Sequence, residues 1–329
     1  MPLNEQLNDV LFNKGKDGRP TLFGAELPKS ISFLSQRHGI SPFSVWNTRQ
    51  EDWQSRRRGW LGLGIQSELG RKDGLTYKIP EKLSDGRKGK KVKTDTSVFD
   101  PMICELAYSW WAMPGDVVVD PFAGGSVRGI VASLLGLRYW GCDLSAAQIA
   151  ANKAQLGPST VGQYKPKWVV GDSMVMVPKA PKADFLFTCP PYGDLEVYSE
   201  DPADISYNRT YNSFLADYHT IMSHACERLR NNRFALVVIS RYRDKTNGTM
   251  HDFVGDTVKI MRNAGCDFYN DIVLINSGGS APMRANGTFI RGNRKMVKLH
   301  QNVLVFIKGD PRKAAARLPQ LDTGSEENR

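Results

Sequence analysis

Residues 117–126 read VVVDPFAGGS, and this segment constrains the fold more than any other part of the chain. A run of β-branched residues that ends in an acid and then in Pro-Phe-Ala-Gly-Gly is typical of a buried parallel strand turning tightly into a helix. Residues 185–192 (FLFTCPPY) repeat the pattern, with two prolines and an aromatic residue after an apolar strand. Ligands bind at the carboxyl ends of strands in open α/β sheets. The two segments therefore predict one pocket between two strand ends.

Apolar periodicity downstream of residue 94 predicts an alternation of strands and helices. The predicted strands are 117–120, 138–143, 167–171, 184–188, 233–240, 268–276 and 301–308. The predicted helices are 101–113, 126–136, 145–155, 211–230 and 253–264. This order indicates an α/β fold with a doubly wound, Rossmann-like parallel sheet of seven strands. The last two strands are joined without a predicted helix, so we expect them to form an antiparallel hairpin.

The two ends of the chain differ from this regular part. Residues 1–93 are rich in Gly, Arg, Lys and Trp, show little strand periodicity and end in the basic run DGRKGKKVK. We interpret them as a basic and aromatic N-terminal extension that recognises DNA. Residues 94–309 form the predicted main domain, and the charged residues 310–329 are predicted to be a flexible tail.

Composition narrows the class of protein. The 329 residues carry a net charge of +10, which suggests a polyanionic partner such as nucleic acid, although a generally basic soluble protein would have the same balance. The five cysteines form no Cys-x-x-Cys pair and no Cys/His cluster with metal-ligand spacing, so we expect no metal and reduced thiols. No apolar stretch approaches the roughly 20 residues of a membrane span, and the N-terminus lacks a signal-peptide layout. We expect a cytoplasmic protein.

The candidate ligand-binding residues stand at three successive strand ends. Gly124 and Gly125 permit a close approach of the backbone to a ligand, and Asp120 before them could accept a hydrogen bond from an ammonium group. Asp143 ends the next predicted strand, where a carboxylate commonly holds ribose hydroxyls. Asp172 follows the third strand and could accept an adenine amine. The alternative is that these aspartates only cap the helices that follow.

Sheets of this kind also bind dinucleotides such as NAD(P) at their strand ends. Their fingerprint is Gly-x-Gly-x-x-Gly, with the pyrophosphate at a helix N-terminus. The loop here reads DPFAGGSVRG, whose glycine spacing differs and whose Pro-Phe pair has no place in that fingerprint. The sequence therefore argues against NAD(P).

Together, DPFAGG and CPPY resemble the motifs of the S-adenosylmethionine (SAM)-dependent methyltransferases, and within them the DNA amino-methyltransferases, most closely the orphan methylases of bacteriophages. The resemblance covers residues 94–308. It implies the methyltransferase fold, SAM as cofactor without a metal, and DNA as partner, with or without an accompanying restriction enzyme. The SAM contacts that it implies are Phe99, Asp120, Pro121, Phe122, Gly124, Gly125, Asp143, Leu144 and Asp172. The catalytic residues that it implies are Cys189, Pro190, Pro191 and Tyr192.

The resemblance implies that the tetrapeptide CPPY aligns the target amine. Its first side chain and the following carbonyl accept the amine hydrogens, the prolines fix the backbone, and the aromatic ring stacks on the base. Cys189 departs from the usual Asp, Asn or Ser, and a thiol is a weak acceptor. Because Cys is closest in size to the Ser of cytosine-N4 enzymes, the sequence slightly favours N4 of cytosine over N6 of adenine. The Pro-Cys-Gln pattern of cytosine-C5 enzymes is missing from the chain.

Nucleic-acid contacts are expected from basic residues, because a target base must be flipped out of a duplex and the phosphates beside it need cations. Some of these residues stand among Trp46, Trp53 and Trp60, and others in residues 277–300, which we predict to be a long functional loop. A solvated charged face would explain each group equally well. The candidates are Arg56, Arg57, Arg58, Lys90, Lys91, Arg284, Arg291, Arg294 and Lys295.

Two other functions stay open at this point. Enzymes with an Asn-Pro-Pro-Tyr motif also methylate amines in RNA, and a nucleic-acid-binding module could keep the fold and lose turnover. A glutamine-N5 protein methyltransferase uses a similar motif, but the basic surface argues against it. Our expectation is a SAM-dependent amino-methyltransferase acting on DNA.

Overall fold

The computed structural model of the protein describes residues 38, 40–66, 69, 99–193, 201–207, 210–276 and 281–319, with the backbone alone at 281–284. Its central element is an eight-stranded sheet, and a two-stranded antiparallel hairpin lies apart from that sheet. The strands are β1 (Val45–Asn47), β2 (Val117–Asp120), β3 (Arg138–Asp143), β4 (Lys167–Val170), β5 (Phe185–Thr188), β6 (Arg233–Ile239), β7 (Tyr242–Arg243), β8 (Met250–His251), β9 (Asp267–Ile275) and β10 (His300–Lys308).

Helices connect most of these strands. They are α1 (Glu51–Gly62), α2 (Pro101–Trp111), α3 (Val127–Leu134), α4 (Ala146–Ala154), α5 (Ser173–Met176), α6 (Tyr211–Arg228), α7 (Phe253–Asn263), α8 (Ala281–Arg291) and α9 (Pro311–Arg317), with a 3₁₀ turn at Val177–Lys179. The Asp100 side chain caps α2 by accepting from the Met102 amide, and Pro101 occupies the first turn.

The strand order is β1-β9-β10-β6-β5-β2-β3-β4. Strands β2 to β6 are parallel, and β10 lies antiparallel between β6 and β9. The predicted α/β class and the terminal antiparallel hairpin are therefore confirmed. The chain runs outward from β2 to β4 and then crosses back to β5 on the other side of β2. A ligand crevice is expected at such a switch point, between the carboxyl ends of β2 and β5.

The sheet separates two apolar cores. Successive side chains of a strand point to opposite faces, and Val118 and Phe187 belong to one core while Val119 and Leu186 belong to the other. Because both faces are covered, these strands are continuous apolar runs rather than alternating ones. This rigid double layer fixes the positions of the strand ends that carry the candidate site.

The segment before residue 63 contributes to the first core, which the sequence analysis did not predict. Strand β1 pairs in parallel with β9, and α1 packs on α2. The side chains of Trp46, Trp53 and Trp60 are fully buried, so these rings are not exposed for a base to stack on them. Only three residues of β1 pair, and the partner strand lies more than 200 residues away, so no local pattern marks it. A recognition role for residues 1–93 stays a prediction.

The prediction that Arg56 contacts nucleic acid is wrong. The Arg56 side chain is 1% exposed rather than available to nucleic acid. Its guanidinium donates to both carboxylate oxygens of Glu105, with Nε 2.6 Å from each. Trp60 Nε1 donates to the same carboxylate at 2.6 Å, and His38 Nδ1 lies 3.2 Å from it. A buried guanidinium needs a paired anion, and Glu105 supplies it across the α1–α2 contact.

This buried pair predicts an acid-sensitive contribution to stability. Burial raises the pKa of Glu105, but the Arg56 charge and the hydrogen bonds outweigh it and lower that pKa from 4.5 to about 2. A lowered folded-state pKa stabilises the fold above the unfolded-state value near 4.5, and the contribution is lost as the pH falls towards 2. At neutral pH, the free energy of unfolding of a Glu105→Gln variant is expected to be about 2–3 kcal/mol lower than that of the wild type. The variant is also expected to lose less stability on acidification than the wild type does.

Urea unfolding at neutral and acidic pH measures both effects. Glu51→Gln is the matched control, because Glu51 pairs with Arg58 at the surface and its side chain is 82% exposed. Equal unfolding midpoints for Glu105→Gln and wild type at neutral pH would contradict the assignment.

Two further segments differ from the sequence-based expectation. Within residues 277–300, predicted to be a loop, the helix α8 forms despite its internal Gly287. Within 310–329, predicted to be a flexible tail, α9 forms and Arg317 makes an ion pair with Asp116. The start of α9 carried a readable signal, since Asp310 accepts from two amides of the first turn and Pro311 follows it.

Candidate functional site

The glycine loop after β2 is held in place by the neighbouring strand β3. The Ala123 amide donates to the Cys142 carbonyl at 2.8 Å, and the Gly124 amide donates to Asp143 Oδ2 at 2.8 Å. Gly124 has a φ of 52°, which favours glycine. A Cβ at this position would reach only Arg128 Nη2 among the described atoms, at 4.0 Å. Among the described residues, little therefore packs against the Cα of Gly124.

Asp120 lies beneath this loop rather than on its open face. The residue is fully buried, and its carboxylate accepts from Arg128 Nε at 2.6 Å, Tyr139 OH at 2.6 Å and Thr188 Oγ1 at 2.7 Å. The strand-end motif predicts that this carboxylate accepts from a ligand ammonium, and the structure corrects that prediction because these three protein donors surround it. Asp120 instead ties β2 to β3, β5 and α3.

Arg128 is the residue of this site that the sequence analysis missed. Its Nη2 donates to the carbonyls of Phe122 and Ala123, in the glycine loop, and its guanidinium carbon lies 4.6 Å from the centre of the Phe99 ring. Burial opposes its charge, but Asp120 outweighs burial and raises the pKa of Arg128. The signal was available, because a lone arginine in the otherwise apolar sequence VRGIVASL must find a buried anion.

The other two strand-end aspartates, Asp143 and Asp172, are half-buried. The two carboxylate oxygens of Asp143 accept from the Gly124 and Ser145 amides, each at 2.8 Å. Burial raises the pKa of Asp143, while these two hydrogen bonds oppose the rise. Asp172 caps α5 by accepting from the Met174 amide at 2.8 Å, as the helix-capping alternative predicted. Each carboxylate keeps lone pairs for a further donor.

Hydrogen bonds join the three strand ends into one unit. The Gly171 amide donates to the Asp143 carbonyl at 3.0 Å, and Ser173 Oγ donates to the Pro121 carbonyl at 2.5 Å. Asn152 Nδ2, from α4, donates to the Gly124 carbonyl at 2.7 Å. The remaining predicted residues of this group lie here too: Phe122 and Leu144 are half-buried, Pro121 is buried, and Gly125 continues the loop.

The tetrapeptide 189–192 (CPPY) directly follows β5, on the other side of the switch point. Pro190 is buried, whereas Cys189 and Tyr192 are half-buried. The Tyr192 hydroxyl accepts from Gln301 Nε2 at 2.9 Å, and the ring meets Tyr242 and Phe253 edge-on, at centroid distances of 6.5 and 6.3 Å. Gly193 after it has a φ of 52°, and a Cβ there would lie 2.1 Å from the Tyr242 hydroxyl. Packing thus fixes the backbone and the ring of the tetrapeptide.

The described residues predicted to bind nucleic acid differ in burial and in pairing. Arg57 and Arg58 follow the buried Arg56 on α1 and pair with Asp100 and Glu51. Arg291 and Arg294 are exposed at the end of α8, and Lys295 after them is half-buried. Lys90, Lys91 and the Arg284 side chain lie outside the described residues. Within the part of the chain that the structure describes, no three His, Cys, Asp or Glu residues are grouped so as to hold a metal ion.

No protein-family model and no curated protein matches this chain. Among solved structures it is similar to TrmN from Thermus thermophilus, with 14% identity and a TM-score of 0.43, covering 64% of this chain and 49% of TrmN. It is also similar to the magnesium protoporphyrin IX methyltransferase ChlM from Synechocystis PCC 6803 with bound SAM, with 13% identity, a TM-score of 0.39 and coverages of 60% and 71%.

TehB from Haemophilus influenzae gives 13% identity, a TM-score of 0.40 and coverages of 66% and 64%. This chain thus spans about half the length of TrmN. At these identities and TM-scores the likeness does not identify what the chain binds or modifies. None of the described helices is long and apolar enough to cross a membrane.

Proposed function

We propose that this protein is a SAM-dependent methyltransferase that modifies an exocyclic amine of a DNA base. One observation carries the proposal: Thr188 Oγ1 donates to Asp120 Oδ1 at 2.7 Å and so locks the end of β5 to the end of β2. The glycine loop and the CPPY tetrapeptide therefore follow adjacent, joined strand ends, where a ligand crevice is expected. That juxtaposition suits a reaction between a cofactor on the loop and an amine at the tetrapeptide.

The residues around the loop fit the parts of SAM. Gly124 and Gly125 offer backbone without a side chain, Asp143 offers acceptors for ribose hydroxyls, and Asp172 offers an acceptor for an adenine amine. When bound, SAM supplies an activated methyl group on a positively charged sulfur. Asp120 and Arg128 neutralise each other under the loop, so their pair contributes a fixed loop shape rather than a net charge.

The tetrapeptide fits an amine as the methyl acceptor. The Pro190 carbonyl and the Cys189 side chain are suited to accept the amine hydrogens, which draws electron density towards the nitrogen. Because a thiol accepts weakly, more of this task falls on the carbonyl. The size of Cys189 favours N4 of cytosine over N6 of adenine. The Tyr192 ring is suited to stack on a flipped base.

DNA is the proposed substrate because of charge and motif together. The net charge of +10 suits a polyanion, and the exposed Arg291 and Arg294 can neutralise phosphates. The motifs are similar to those of DNA amino-methyltransferases, including the orphan methylases of bacteriophages. The same chemistry could act on RNA, so the experiment includes both polymers.

The test is methyl transfer from labelled SAM to unmodified duplex DNA, single-stranded DNA and total RNA, followed by digestion to nucleosides and identification by mass. We expect N4-methylcytosine, or else N6-methyladenine, from DNA. Label in RNA alone would overturn the choice of DNA. No transfer to any polymer by protein that binds SAM would point to a nucleic-acid-binding module without turnover. Reactions without protein are the control.

A further inference from the structure

A group of cations lies beside the tetrapeptide on residues that the sequence analysis did not select. We call Arg241, Lys298 and His300 the basic cluster. Strand β6 is parallel to β5, so its end at Ile239 lies at the same sheet edge, and Arg241 follows it by two residues. Strand β10 is antiparallel to β6 with Asn302 opposite Ile239, so its first residue, His300, lies at that edge as well.

The members of the cluster are held close to one another. Lys298 Nζ donates to the Arg241 carbonyl at 3.3 Å, and Lys298 is half-buried rather than extended into solvent. Burial and the charge of Arg241 lower the pKa of Lys298 to about 8. Burial, Lys298 and Arg241 also lower the pKa of His300, against the opposing charge of Asp271. The charges of Arg241 and Lys298 therefore repel each other, and the lowered pKa of His300 favours its neutral, hydrogen-bonding form.

Carboxylates only partly neutralise the cluster. Asp252 accepts from Arg241 Nε at 2.7 Å at the surface. No carboxylate among the described residues contributes to the pKa of Lys298, whose causes are burial and Arg241. An anion bound between Lys298 and Arg241 would relieve the repulsion that the fold imposes on them.

The cluster is linked to the tetrapeptide through one residue. Gln301, next to His300, donates to the Tyr192 hydroxyl at 2.9 Å. Two further cations meet at one glycine: Arg243 of β7, two residues after Arg241, donates to the Gly248 carbonyl, and Lys295 lies against the same glycine. A nucleic-acid strand whose base lies at Tyr192 would bring its neighbouring phosphates towards these basic residues.

From this placement we propose that Arg241, Lys298 and His300 bind a backbone phosphate of the DNA strand next to the base that enters the site. The inference rests on the proposed function for the identity of that base. It assigns phosphate binding to the β6–β7 turn and to the segment entering β10, instead of to α1. A phosphate there would fix the register of the strand relative to Tyr192.

The test compares Lys298→Gln and Arg241→Gln with wild type in binding a short fluorescein-labelled DNA, single-stranded and duplex, by anisotropy over a range of salt concentrations. Each variant is expected to raise Kd roughly fivefold near 0.15 M salt and to lower the slope of log K against log salt by about 1. Lys298→Arg should restore both. SAM binding, measured by calorimetry, should stay unchanged in all variants.

Lys153→Gln is the matched control, because Lys153 is exposed in the last turn of α4. That helix packs on β3 and β4, which stand three and four strands away from β6 in the sheet. Loss of affinity no greater than that of Lys153→Gln would overturn the phosphate site, even in a protein that binds SAM and methylates DNA. A slope change on labelled RNA but not on DNA would overturn it too.

Failure of the proposed function would look different. Wild-type protein that bound DNA but neither bound SAM nor transferred methyl would refute the reaction, while the salt slopes still decided the phosphate site. If Lys298→Gln did not fold, Arg241→Gln would decide, because the Arg241 side chain is 41% exposed and tolerates substitution.

Discussion

An Arg128→Met variant is expected to have a free energy of unfolding about 3–5 kcal/mol lower than that of the wild type and to lose SAM binding. Removing the guanidinium leaves the Asp120 carboxylate, which is fully buried, without its cation. It also removes the donor to the Phe122 and Ala123 carbonyls, which shape the glycine loop. Stability and cofactor binding are expected to fall together because one side chain supports both.

A double variant separates the two effects. Asp120→Asn combined with Arg128→Met removes both buried charges and keeps a side-chain oxygen for Tyr139 or Thr188 to donate to. We expect it to recover part of the lost stability, since replacing both members of a buried pair costs less than removing one. SAM binding should not return, because the loop carbonyls still lack the arginine donor.

Urea unfolding and calorimetric titration with SAM measure these outcomes. Arg138→Met is the control, because Arg138 is exposed on β3 and its guanidinium lies over the Tyr164 ring; a loss of no more than about 1 kcal/mol is expected there. Wild-type stability in Arg128→Met would contradict the buried pair. Unchanged SAM affinity in a folded Arg128→Met would contradict its role in shaping the loop.

The regular part of the fold follows from local sequence. Strand β3 is Arg138–Asp143, as predicted, and α6 begins at Tyr211, also as predicted. These elements are predictable because apolar runs and turn residues determine them over a few positions. The antiparallel orientation of β10 is predictable as well, because no predicted helix separates it from β9.

The parts that were not predicted depend on partners far away in sequence. The pairing of β1 with β9 and the ion pair of Arg56 with Glu105 each join segments that no local pattern connects. The same applies to the basic cluster, because Arg241 and Lys298 meet only once β6 and β10 are paired. Composition indicated a basic surface, but the pairing of strands decides which cations share it.

The sequence motif predicts the position of Asp120 but not its hydrogen-bond partners. Its position at the strand end was predicted correctly, and so was its place beside the glycine loop. Its hydrogen-bond partners depend on Arg128 and Tyr139, whose approach requires α3 and β3 to be packed. A motif therefore locates a site more reliably than it assigns the contact that each side chain makes.

A Tyr192→Ala variant is expected to lose about 100-fold in kcat/KM for DNA methylation while its affinity for SAM stays at the wild-type value. Stacking of a base on an aromatic ring contributes about 1–3 kcal/mol, a factor of about 5 to 150, and the expected loss lies in the upper part of this range. The ring rests on Tyr242 and Phe253, so its removal also frees the backbone of the tetrapeptide.

Tyr192→Phe and Gln301→Leu are the matched controls. Each removes the hydrogen bond between Gln301 Nε2 and the Tyr192 hydroxyl and keeps a ring at position 192. Because that bond only orients the ring, each is expected to lower kcat/KM by about fivefold or less, corresponding to about 1 kcal/mol. Steady-state rates with a fixed DNA substrate and calorimetric SAM titrations distinguish a lost stacking platform from a damaged fold. A Tyr192→Ala enzyme with the wild-type rate would show that the base does not bind at the tetrapeptide. Loss of SAM affinity together with rate would instead assign Tyr192 to the cofactor, because a residue that only holds the base contributes nothing to cofactor binding.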